Sequence, residues 1–139
     1  MDNTMTTRKA YELINAGNLD GLGDLLADDF VEHEELPGFA PTKQGTLDWF
    51  QTLLTAFPDM RMDVEDLVAS DDKAVARVTA TATHRGEFMG IPATGKSMTM
   101  ELIDIMKFDD SGHLSEHWGV ADMMALMQQL GVVSAGPPA

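Results

Sequence analysis

"KSMTMELIDIMKFDD", residues 96–110, decides how the rest of the chain is read. Its apolar side chains recur at every second position. Met98, Met100, Leu102, Met106 and Phe108 share one face, and the only polar member of that face is Asp104. A period of two belongs to a β-strand with one buried side, because successive side chains point to opposite faces. The other face, Thr99, Glu101, Ile103, Ile105 and Lys107, is mixed. Asp104 is therefore expected to point into the apolar side, where loss of water raises a carboxyl's pKa and favours the neutral acid. The structural alternative is a buried carboxylate satisfied by a backbone N–H or a histidine.

The same period extends on both sides. "MRMDVEDLVASDD" (60–72) and "KAVARVTATATHRGEF" (73–88) read as strands meeting at Asp71-Asp72. The strand after 96–110 is "GHLSEHWGVAD" (112–122), with a turn around Ser111-Gly112. Before Pro58 the period is helical: residues 5–16, a glycine-weakened segment 19–27, and residues 43–57 with Leu47, Phe50, Leu54 and Phe57 on one face. "DDFVEHEEL" (28–36) reads as a short strand stopped by Pro37-Gly38, and a last helix runs from Met123 to Leu130. Helices followed by a meander of long strands predict an α+β fold, a curved, mostly antiparallel sheet packed on N-terminal helices. Residues 1–131 are expected to form one domain, with 132–139 a loosely held tail.

With 139 residues and 44% hydrophobic composition, the chain can bury roughly two-thirds of its unfolded surface. A net charge of −14 with nine scattered Lys and Arg supplies no counterion-displacing patch, so nucleic acid and anionic membrane surfaces are not expected partners. No apolar run reaches a membrane span and no secretory signal opens the chain, so a soluble cytoplasmic protein is expected. With no cysteine, thiolate chemistry is excluded.

The strand at 73–88 places Ala74, Ala76, Val78, Ala80, Ala82 and His84 on one face. Such small residues imply either close helix approach, the commoner outcome, or a cavity near Asp104. His33 lies in "EHEE", which lacks metal-ligand spacing, and suits a pocket rim better. His113 sits in a turn, expected to be exposed. His117 and Trp118 are adjacent on a strand, so one faces in and the other out. Asp122, between the last strand and helix, is placed to cap that helix. On local grounds capping is favoured over acid/base work, which requires partial desolvation. Phe88, Met89 and Ile91 on the loop between Gly86 and Gly95 suggest a contact surface or, second, a pocket lid.

"HRGEFMGIPATGKSM" (84–98) followed by "DIMKFDDSGHLSEHWGVADMMALMQQLG" (104–131) resembles the SnoaL-like polyketide cyclases, or ester cyclases, of the broad NTF2-like group. "NAGNLDGLGDLLADDFVEHEELPG" (15–38) and "FPDMRMDVEDLVASDDKAVAR" (57–77) extend the resemblance, which runs from about Arg8 to Gly131. It implies an NTF2-like cone with a pocket at its wide end, a homodimer paired through the open sheet face, and no metal or other cofactor. The implied activity is acid/base catalysis of an intramolecular aldol ring closure, or a related enolisation, on a small apolar carbonyl compound. Asp122 matches the family's acid/base, with Asp104, His117 and His33 as candidates for polarising or orienting the substrate. Tyr11, Trp49, Phe57, His84, Met100 and Trp118 are the expected pocket residues. The alternatives are a non-catalytic small-molecule-binding dimer, or an enzyme like the ketosteroid isomerases or epoxide hydrolases of the same group.

Overall fold

Each long helix of the computed structural model, which describes residues 2–134, starts at a side-chain cap. Asp2 accepts from the Met5 N–H and opens α1 (Asn3–Asn15), which buries Ala10, Tyr11, Leu13 and Ile14 along one side. Asn15 ties the end of α1 to the sheet, donating to the Met62 carbonyl and accepting from the Met62 N–H at 2.9 and 2.7 Å. The short α2 (Leu19–Leu25) runs directly into β1 (Leu26–Glu32). β1 thus begins two residues before the expected strand and ends four before its limit. Leu26 is drawn into the sheet as the partner of Leu114, and past Glu32 the chain bends toward Pro37. The Thr42 hydroxyl then caps α3 (Lys43–Ala56) by accepting from the Gly45 N–H.

β2 (Arg61–Ser70), β3 (Lys73–Thr83), β4 (Ser97–Phe108) and β5 (Leu114–Ala121) complete one five-stranded sheet of order β1-β5-β4-β3-β2, followed by α4 (Met123–Gln129). Every neighbouring pair is antiparallel except β1 with β5. The β4–β5 turn needs the left-handed backbone that Gly112 supplies at φ 84°. β3 stops at Thr83, five residues short of expectation. There Arg85 and Gly86 both donate their N–H groups to the Ala56 carbonyl, so the chain leaves the sheet to close over the end of α3. The architecture is the expected α+β arrangement, a curved, unclosed sheet with helices against one face. Of the tail, residues 132–134 are described, and the expectation for 135–139 falls outside the described residues.

The inner face of β3 resolves the choice between close packing and a cavity, because both occur. Ala74, Ala76, Val78 and Ala80 have no exposed surface, and α1 crosses the sheet here. Ala80, farther along, borders a cavity between the sheet and the helices. The outer face keeps apolar side chains in solvent: Val68, Ile103 and Val120 are 64%, 50% and 78% exposed. Among the described residues, no helix is long and apolar enough to cross a membrane.

Candidate active site

Three strands and one helix converge at the polar end of that cavity. Asp104 projects inward from the middle of β4, with Ala76 and Gly119 as its register partners on either side. His117 is two residues before Gly119 and shares its face; Tyr11 arrives from α1. Glu32 ends β1, and Glu34 follows on the bend after it. Gly119 makes this convergence possible. A Cβ there would lie 2.8 Å from His117 Cε1, 2.9 Å from Glu34 Oε2 and 3.0 Å from Asp104 Oδ1.

The groups form a hydrogen-bonded chain. The Tyr11 hydroxyl donates to Asp104 Oδ2. His117 Nε2 bonds Asp104 Oδ1 at 2.8 Å, and its Nδ1 bonds Glu32 Oε1 at 2.6 Å. Glu32 Oε1 also accepts the Glu34 N–H at 3.0 Å. With a carboxylate on each ring nitrogen, the imidazole is doubly protonated and donates both ways. Burial by itself would lower the pKa of His117. The hydrogen bonds and charges of Asp104 and Glu32 outweigh it and lift the group from 6.5 to about 10. Burial, then the Asp104 charge and hydrogen bond, push the Tyr11 phenol far up, so it stays a donor. Glu34 is also raised, chiefly by burial; the charges of Asp104 and Glu32 add to the shift and that of His117 opposes it.

Glu32, Glu34 and His117 bring donor atoms within 4.8 Å of one another, a spacing a cation could bridge. Both His117 nitrogens are already committed to carboxylates, however, so a metal would have to displace a proton and a short hydrogen bond. The arrangement is better described as an imidazolium held between acids.

Beyond this polar end the walls are apolar. Leu22, Phe30, Phe50, Leu53, Met60 and Leu126 are among the side chains around a cavity of about 150 Å³. That is the size of an engineered apolar cavity able to take up benzene. Tyr11, Trp49, Phe57, Met100, Asp104 and His117 line it as well. Phe88 turns inward against Phe57 and Trp49, at ring distances of 5.2 and 6.0 Å. The 86–95 loop therefore contributes a wall residue, while Met89 beside it is exposed.

Four residues singled out in the sequence lie elsewhere. His33 and Trp118 stack on the outer side of the sheet, with ring centroids 4.6 Å apart, and His33 Nε2 bonds Glu116. The alternation that brings His117 in sends Trp118 out, and the His33 N–H donates to the His117 carbonyl. His84 is buried behind Phe57, where its Nδ1 meets Thr94, and does not reach the cavity wall. Asp122 is exposed, and its carboxylate accepts the Ala125 N–H at 3.0 Å as the cap of α4. Conversely, Glu32 and Glu34 are not among the residues singled out in the sequence, where "EHEE" draws the reading to His33. Extending the alternation of Phe30 through 32 and 34 would have turned both carboxyls inward.

Comparison with known proteins places this architecture. IdmH of Streptomyces antibioticus, a candidate polyketide cyclase, superposes with a TM-score of 0.82 at 33% identity, over 94% of this chain and 99% of its own. AclR of Streptomyces galilaeus, a candidate hydroxylase, gives 0.85 at 29% identity, over 97% and 84%. A candidate polyketide cyclase from Bacillus cereus gives 0.80 at 25% identity, over 93% and 80%. No functionally curated protein matches the chain. The sequence profile of the SnoaL-like polyketide cyclases matches residues 4–130, nearly the whole chain, and the protein belongs to that family.

Proposed function

We propose that the protein is a cyclase-type acid/base enzyme whose central step is enolisation of a small, largely apolar carbonyl compound, followed by intramolecular aldol closure. The observation that carries this reading is a hydrogen-bonded run of ionisable groups, Tyr11–Asp104–His117–Glu32, closing one end of an otherwise apolar cavity. Perturbed titratable groups gathered in a concave apolar site are the usual mark of acid/base chemistry. Membership of the cyclase family supports it, as does the likeness to IdmH.

Enolisation takes a proton from the carbon beside a carbonyl and leaves negative charge on oxygen. The fixed imidazolium favours that charge, the Tyr11 hydroxyl, which donates to Asp104 here, can turn its proton to the new oxygen, and apolar walls strengthen the attraction by excluding water. The enolate carbon then attacks a second carbonyl, whose oxygen takes the proton back, so the closure consumes no proton overall. Ketosteroid-isomerase-like chemistry shares the enolisation step, and the contact between a helix-one tyrosine and an acid favours that step in particular. An Arg-Asp-Asp hydrolase site gains less support, since Arg77 points outward and pairs with Asp66 at 2.7 Å.

The test is uptake of deuterium into the α-positions of 2-tetralone, a compact enolisable ketone, followed by proton NMR in D₂O. The wild-type protein is expected to accelerate it, and Asp122→Asn, which can still cap α4, to leave the rate within about twofold. No acceleration by the wild type would refute enolisation and favour a binding protein. Loss in Asp122→Asn with the fold intact would return the acid/base role to Asp122.

The same reading includes a homodimer paired through the outer sheet face. Val68, Val75, Ile105 and Trp118 lie in register across four strands, beside a row ending in Ile103 and Val120. Arg77 and Lys107 sit near Asp66 and Glu116 on this face, so two copies can set apolar rows together with opposite charges alongside. Sedimentation is expected to give a dimer for the wild type and a monomer for Ile103→Lys; a wild-type monomer would refute the pairing.

A further inference from the structure

Every carboxyl of the polar cluster but one is spent within the protein. Asp104 accepts from both Tyr11 and His117, and Glu32 accepts from His117 and from the backbone of Glu34. The Glu34 side chain has no hydrogen-bond partner among these groups, yet it lines the cavity and remains partly exposed to solvent. Its Oε2 lies by the Gly119 backbone on the same side as Asp104 Oδ1 and His117 Cε1, fixed there by the bend that follows β1. A group that borders an apolar cavity, touches water and is free of internal partners is the one an occupant of the cavity would meet.

We infer that Glu34 is the ligand-contacting carboxyl of this cavity and, resting on the enolisation reading above, its proton carrier. As a carboxylate it takes the α-proton. The C–H electron pair becomes the C=C bond of the enolate, and the carbonyl π pair moves to oxygen, facing the Tyr11–Asp104–His117 end. Return of a proton from Glu34 to carbon reverses the flow, and exchange between the Glu34 carboxyl and water in the meantime places deuterium on carbon. The groups that set its charge are His117 on β5, Asp104 on β4 and Glu32 on β1, besides its own burial. The upward direction of its pKa makes it a stronger base than a solvated glutamate, ionised above its raised midpoint.

Two measurements test this. In the 2-tetralone exchange assay, Glu34→Gln is expected to lower the rate by about 10²-fold and to abolish the rise of rate with pH. A rate within about threefold of wild type, with the pH limb intact, overturns the proton-carrying role of Glu34 and leaves enolisation standing. The second readout does not depend on turnover. Saturating 2-naphthol, an aromatic counterpart of the tetralone enol, is expected to strip water from Glu34 and move its carboxyl titration upward in carbon-detected NMR. The exposed Glu35 should stay where it was. A Glu34 titration unmoved by bound 2-naphthol overturns the contact itself, whether or not the protein exchanges 2-tetralone.

Discussion

Asp104→Asn is expected to bring the His117 imidazole down from about 10 and to take the enolising activity with it. Burial works against the charge on His117, and Asp104 is the first of the two carboxylates that overcome it. An amide in its place can still accept from Tyr11 but brings no negative charge, so one carboxylate, Glu32, is left to hold a largely buried cation. Hydrogen bonds to charged groups contribute about 1.5–3 kcal/mol, and a loss of that order is expected in chemical denaturation at neutral pH. Removing the side chain outright with Asp104→Ala leaves the phenol without a partner and the imidazolium with Glu32 alone, and should cost about 3–5 kcal/mol. Nitrogen-detected titration of the imidazole checks the first claim. His117 still titrating near its wild-type midpoint in Asp104→Asn would mean that Glu32 alone sets its charge, and the chain of groups would lose its central member.

Alkaline pH should weaken the fold through the same residue. The pKa of His117 is higher folded than unfolded, so the protonated ring binds its proton more tightly in the native state. The stabilisation is then complete below the unfolded value of 6.5 and is lost as pH rises through about 10. A rise from 6.5 to about 10 corresponds to on the order of 5 kcal/mol. Tyr11, also raised, adds to this alkaline loss, whereas the raised Glu34 loses its contribution at lower pH, as it ionises through its own midpoint above 4.5. General repulsion grows with pH too, in a chain already at −14. His117→Gln separates the two effects. The gap in unfolding free energy between it and the wild type should be widest near pH 6 and close toward pH 11. A gap constant over that range would show that His117 titrates alike in both states, against the imidazolium assignment.

How much of this was legible beforehand depended on the range of the interaction. The strand at 97–108 could be read residue by residue because alternation is local: Met98, Leu102, Asp104 and Met106 are all buried on the face the sequence assigns them. Turns at Asp71-Asp72 and Gly112, the helix ending before Pro58 and the cap at Asp122 follow from a few neighbouring residues and were legible in the same way. The family resemblance added the cone and the place of its pocket. Boundaries were less secure where a distant partner decides them, as with Leu26, claimed by Leu114, and Thr83, beyond which Ala56 takes the chain.

The site belongs to the second kind. Tyr11 and Asp104 are 93 residues apart, and His117 and Glu32 85, so no local pattern relates them. Which of His117 and Trp118 faces in is settled by the register of β5 against β4, where Met106 pairs with His117. That choice also sends His33 out to stack on Trp118, and leaves Glu32 and Glu34 beside His117. The sequence alone determined the α+β class, the inward carboxyl of Asp104 and the absence of thiol chemistry, because these depend on periodicity and composition. Only the tertiary structure decided that three acids, a phenol and an imidazole share one buried end of a cavity, because their pKa values and hydrogen bonds exist only once distant strands are in register.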